Sequence, residues 1–161
     1  MPYTLKVEGM DDIAAMLQKV GQAADGIAAQ ALYEGAGVVA DAVSAGARGV
    51  STSPFKYAKG WQRQPSPEEK EALVSAGAAG IAKFQHTGNS VNTSVGYNRS
   101  GYANVNGKKK PIAVIANSIN SGTSFMRKQP FIRKAVSSSQ GKATSAIESK
   151  ISELVDKIIK E

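Results

Sequence analysis

The chain contains no cysteine. That removes disulfide staples, thiolate nucleophiles and thiolate metal sites together. Its one histidine, His86, has no carboxylate near it in sequence. A zinc site or Ser–His–Asp chemistry would have to gather every other group from a distance. No apolar run reaches the roughly 20 residues that a membrane-spanning helix requires, so no membrane partner is expected. Residues 1–12 carry no basic stretch followed by an apolar core, so no secretory leader is expected, and a cytoplasm-type folding environment is compatible. Acid is missing from the whole of 72–147, a stretch that holds Lys83, Arg99, Lys108, Lys109, Lys110, Arg127, Lys128, Arg133, Lys134 and Lys142.

What is present fits one globular domain over 1–161. Apolar residues make up 42% of the chain, too many for a disordered polymer. The net charge of +7 is unevenly spread, because the acidic residues of 1–50 outnumber the basic ones and the rest of the chain is strongly basic. Such an asymmetry points to a polyanionic neighbour, nucleic acid or an acidic protein face, or simply to a solvated basic surface. The interleaving of aromatic and basic residues typical of RNA-binding modules is absent.

Alternation of Tyr3, Leu5 and Val7 with polar residues reads as a short strand over 2–8, ended by Gly9. From there Ile13, Leu17, Val20, Ala24, Ile27, Ala31, Val38 and Ala42 recur at helical spacing and predict a long helix over about 12–47. Gly21, Gly26, Gly35 and Gly37 weaken that helix by about 1 kcal/mol each relative to alanine, but admit close approach of another backbone. Residues 51–84 read as a loop followed by an inserted helix. Ser66 would cap that helix, Pro67 would open it and Glu69 would complete a capping box, and it should run to about Phe84. The pattern then turns to β, with candidate strands at 91–97, 102–105 and 111–117 and an Asn106-Gly107 turn before Lys108, Lys109 and Lys110. After a loop over 118–129, Pro130 opens a terminal helix with Ala143, Ile147, Ile151, Leu154 and Ile158 on its apolar face, interrupted at 137–141. The expected class is α+β: a long N-terminal helical region, a small antiparallel sheet and a C-terminal helix.

No constellation of catalytic type emerges. Gly35-Ala36-Gly37-Val38-Val39-Ala40 matches a dinucleotide fingerprint in letters only, since it lies inside a helical pattern rather than after a strand. Small residues at a helix–helix contact explain it better. His86 reads as a polar turn residue, and Glu68, Glu69 and Glu71 as complements to a helix dipole. No enzyme activity, cofactor or metal is expected.

The segment Ser121-Gly122-Thr123-Ser124-Phe125-Met126-Arg127-Lys128-Gln129-Pro130-Phe131-Ile132-Arg133-Lys134-Ala135 resembles the signature of the tail-completion, or neck, proteins that join heads to tails in long-tailed bacteriophages. There a Gly-Thr-Ser loop leads through Met to a Pro-Phe pair that starts the last helix. Val7-Glu8-Gly9-Met10-Asp11-Asp12-Ile13 is similar to that family's strand, glycine and first-helix start, and Thr87-Gly88 to its Thr-Gly strand start. Ser90 and the length of 51–84 depart from the pattern. The resemblance implies a virion protein at the head–tail joint or tail top, made in the host cytoplasm. It would act as a ring of copies against neighbouring neck, connector or tail proteins. Gly122, Thr123, Met126, Pro130, Phe131 and Ala135 are the candidate packing and interface residues. Lys108, Lys109, Lys110, Arg127 and Lys128 are the candidate contacts to a polyanion or partner, including non-specific contact with DNA in the channel. A basic nucleic-acid-binding protein of unrelated function is the alternative.

Overall fold

The structure, a computed structural model, describes residues 10–53, 62–75, 77–88, 90–98 and 100–161. The strand expected over 2–8 lies outside the described residues. The class is α+β as expected, with a long helix first, three two-stranded antiparallel pairs in the middle and a long helix last.

The first helix, α1, spans Met10–Arg48, close to the span its apolar stripe predicts. The last, α4, spans Phe131–Lys160 without a break, so the interruption expected at 137–141 does not occur. Ser139 is buried there, and the Ser138 and Ser139 hydroxyls donate back to the carbonyls of Ala135 and Val136. Hydroxyls bonded into their own helix and packing on a partner helix override poor local propensity.

The two helices run antiparallel, and small residues set their approach. A Cβ on Gly35 would lie 2.5 Å from Ile147 Cγ1 and 3.2 Å from the Ala143 carbonyl. A Cβ on Gly46 would lie 3.2 Å from the Phe131 carbonyl. The end of α4 lies opposite Gln22 and Ala23, where Leu154 and Ile158 line a shallow groove between the two helices. Beyond it the stripe of α1 continues uncovered, with Ile13 and Leu17 55% and 68% exposed.

Helix α2 covers Pro67–Val74 only and carries the expected capping box between Ser66 and Glu69. It does not reach Phe84. Ser75 is already extended, and Gly77 takes φ +76, a conformation that favours glycine and turns the chain into a strand. Strands β1 (Ala79–Ile81) and β4 (Val95–Tyr97) pair, as do β2 (Gln85–Thr87) and β3 (Ser90–Asn92). Together they form one long hairpin. Residues 82–84 face only residues 93–94 between the two pairs, so one extra residue bulges the ladder. The single strand expected over 91–97 is thus divided, and Thr87-Gly88 stands at the hairpin turn rather than at a strand start. His86 belongs to β2 and is exposed, not a turn residue.

The second hairpin joins β5 (Tyr102–Val105) to β6 (Lys108–Pro111). Asn106 and Gly107 at its tip both have positive φ, 52° and 74°, the geometry of a type I′ turn. The strand expected over 111–117 is instead helix α3, Ile112–Ser121. Its β-branched residues imitate a strand, but Ile112, Ile115, Ala116 and Ile119 lie one helical turn apart and are all buried. The core gathers these with Val43 and Ala47 of α1, Val50 just beyond it, Leu73 of α2, Val105 of β5, Met126 and Phe131.

Candidate interface

Residues 122–130 connect α3 to α4, and local chemistry dictates their path. Gly122 has φ +77, and a Cβ there would lie 3.0 Å from the backbone nitrogen of Lys128. Only glycine meets both conditions. Its N–H donates to the Ser118 carbonyl at 2.9 Å, which ends α3. Thr123 then makes a tight turn. Its hydroxyl accepts from the N–H groups of Phe125 and Met126 at 3.2 and 3.0 Å, and its own N–H donates to the Met126 carbonyl at 2.9 Å. The turn drives the Met126 side chain into the core at 4% exposure. On its other side the segment pairs with Arg63, whose N–H donates to the Phe125 carbonyl and whose carbonyl accepts from the Arg127 N–H.

Gln129 locks this connection to two points between α1 and α2. Its side chain exchanges two hydrogen bonds of 2.9 Å with the backbone of Ser51 and donates to Gln64 Oε1 at 2.7 Å. Its N–H donates to the Ile119 carbonyl. Pro130 stands at the N-cap of α4, where it offers no capping side chain. The cap comes from another element: buried Asn120 on α3 accepts from the N–H groups of Ile132 and Arg133 at 3.1 and 3.4 Å. Those are two of the four donors that a helix start leaves unpaired. Phe131 packs edge-on against Tyr97 of β4, ring centroids 6.2 Å apart, and so anchors α4 to the first hairpin. Ala135, one turn later, is buried against Gly46. Gly122, Thr123, Met126, Pro130, Phe131 and Ala135 therefore form one continuous unit. Asn120 and Gln129 belong to it too, yet their roles depend on partners far away in sequence and left no local signal.

The basic candidates divide. Lys110 lies 3.6 Å from Glu69, a carboxylate with a side chain only 3% exposed. Arg63 grips the same group with two bonds of 2.7 and 2.8 Å, and the Ser66 N–H donates to it at 2.9 Å. The Arg63 hydrogen bonds hold the Glu69 carboxyl below the usual carboxylate range, against the opposing effect of burial, and Lys110 adds to the lowering. Glu69 is thus an ionic hub tying the loop before α2 to β6, more than the dipole complement its position suggests. Glu68 also reaches across, accepting from the Asn106 N–H at 2.7 Å. Lys108 and Lys109 are exposed, but successive strand residues point to opposite faces, so the three lysines do not share one surface. They also lie in β6, beside the hairpin tip and not in its loop.

Arg127 and Lys128 sit elsewhere, with Lys134, on the rim of an open groove of about 610 Å³ between the end of α1 and the start of α4. Among the described residues no group of three or more His, Asp or Glu side chains converges as a metal site would require, and no helix is long and apolar enough to cross a membrane. Comparison of the chain with protein-family models, with curated proteins and with solved structures finds no match.

Proposed function

We propose that this protein is a structural component of a phage virion, placed at the head–tail joint or the top of the tail, and that it works by assembly without bond chemistry. Copies form a ring that completes or connects the tail and docks on neighbouring neck, connector or tail proteins. The observation that carries the reading is the unity of 121–135. The residues that bear the resemblance are the ones whose geometry is interdependent: a glycine that only glycine can replace, a threonine turn, a buried methionine and a Pro-Phe start pinned to the hairpin. The likeness therefore falls on residues that form one structural device in this chain, which supports the reading. The uncovered stripe of α1, with Ile13, Met16 and Leu17 exposed, supports a role in association, because exposed apolar faces of this kind mark contact surfaces.

The test is genetic and visual. Particles assembled without this chain are expected to appear as separate heads and tails by electron microscopy. Normally joined, infectious particles would refute the reading.

A basic nucleic-acid-binding protein remains the second reading, favoured by the exposure of Lys83, Lys108, Lys109, Lys128, Arg133, Lys134 and Lys142 in the acid-free stretch. It predicts DNA affinity that falls steeply with salt, by orders of magnitude between low and physiological ionic strength. The assembly reading predicts association that salt affects little, with any DNA contact in the ring channel non-specific.

A further inference from the structure

The groove between α1 and α4 combines three properties. Its floor is apolar: half-buried Ala42, Gly46 and Pro130 present surface to it, while Val50, Phe131 and Ala135 are almost fully buried. One wall is fixed in advance, because Gln129 is bonded to Ser51 and Gln64, all three lining the groove. Its rim carries Arg127, Lys128 and Lys134, and among the described residues no acidic residue lines it. Among the described residues no ion pair joins Lys128 or Lys134 to an acid.

We propose that this groove docks a short acidic segment of a partner protein, with its carboxylates on Lys128 and Lys134 and one apolar side chain on the floor at Ala42, Gly46 and Pro130. Charge complementarity selects the sign of the occupant, and a cationic rim around an apolar floor selects a peptide over a phosphate backbone. Nucleic acid would use the rim but leave the floor unfilled. No exposed aromatic face lines the groove for base stacking, since Phe131 is 6% exposed. A volume of about 610 Å³ accommodates a few side chains of an extended or helical segment. The pre-set wall lowers the ordering cost of binding. From the proposed function this inference takes only that the chain docks with other proteins; the place in the virion does not enter.

The test is fluorescence anisotropy of the full chain with a labelled ten-residue peptide of Asp and Glu around a central Leu. A leucine-free version and a ten-nucleotide single-stranded DNA serve as comparisons. Saturable binding of the leucine peptide is expected, with weaker binding of the other two. The double variant Lys128→Ser/Lys134→Ser should lose about tenfold or more in affinity, as should Ser138→Trp, which fills the groove from an exposed position on α4. Thermal melts like that of the wild type would assign these losses to the groove. Absence of saturable binding, equal affinity for the leucine-free peptide, preference for DNA, or full affinity in the folded variants would each overturn the proposal. Loss of the protein's own self-association in the double variant would overturn it too, by making a second copy the occupant. Peptide binding without ring assembly would leave the groove standing and sink the ring, and ring assembly without peptide binding would do the reverse.

Discussion

Alanine substitutions at Gly35 and Gly37 put the packing of α1 on α4 to a test in which the same chemical change has opposite effects two residues apart. At Gly37 a new Cβ meets nothing within 4 Å. The variant gains only the helix propensity of alanine over glycine, about 0.8–1.0 kcal/mol. At Gly35 the same gain applies, but the Cβ would lie 2.5 and 2.6 Å from Ile147 and 3.2 Å from the Ala143 carbonyl. Half-buried Ile147 can swing aside, whereas the carbonyl is fixed inside α4. Overpacking of this kind costs about 1–3 kcal/mol, so the net effect runs from about zero to about 2 kcal/mol of destabilisation. For a chain of this size 1 kcal/mol moves Tm by about 2–4 °C. Gly37→Ala should then raise Tm by about 2–4 °C, while Gly35→Ala leaves it unchanged or lowers it by up to about 8 °C. Gly46→Ala should also lower it, because the Phe131 carbonyl 3.2 Å away cannot yield. Thermal melts followed by far-UV circular dichroism read all three. Equal upward shifts for Gly35→Ala and Gly37→Ala would refute the packing of α1 on α4.

Phe131→Ala removes a buried ring and its edge contact with Tyr97, so urea unfolding should show a loss of about 3–5 kcal/mol; a loss below about 1 kcal/mol would mean that the ring is not the anchor described. Glu69 has a folded-state pKa below its ordinary 4.5, so its pairing stabilises above that value and is lost as pH falls through the folded value. Glu69→Gln should cost about 1.5–3 kcal/mol at neutral pH and flatten the acid limb of the Tm–pH curve, whereas an unchanged limb would contradict the hub. Tyr97 has a buried hydroxyl with no partner among the described residues, and burial pushes its pKa from 10.0 up to about 12. A raised value means stability present below pH 10 and lost between 10 and 12. Tyr97→Phe should therefore weaken the alkaline loss and leave neutral-pH stability equal or up to about 1–3 kcal/mol higher; a destabilised variant would show that the hydroxyl has a partner.

Periodicity made α1 legible over nearly its full length, because a stripe sustained from Ile13 to Ala42 has no competing reading. Local chemistry did the same for the Ser66–Glu69 box and the Asn106-Gly107 turn. Where propensity and packing disagree, the sequence misleads. Ile112, Val114 and Ile115 look like a strand and form α3, and the serines and glycine of 137–141 look like a break inside a continuous α4. β1 and β2 carry too few residues and too little alternation to announce themselves, and exist through pairing with residues further along the chain. Within 121–135, Phe131 could be singled out from its size and place at a helix start, and Gly122 from the resemblance alone. The cap from Asn120 and the clamp from Gln129 could not, because each joins elements whose proximity only the fold creates. The ionic hub at Glu69 is of the same kind: its capping role is local, while Arg63 and Lys110 reach it from a loop and from a hairpin.

The proposed role, ring assembly on neighbouring virion proteins, can be read directly in solution. The purified protein should be mixed with the products of adjacent portal, neck and tail genes and followed by sedimentation velocity at low and high salt. A closed multi-copy complex on at least one of these partners, persisting at high salt, is expected. A chain that stays monomeric and unbound with every partner, while binding DNA with an affinity that collapses as salt rises, would contradict it.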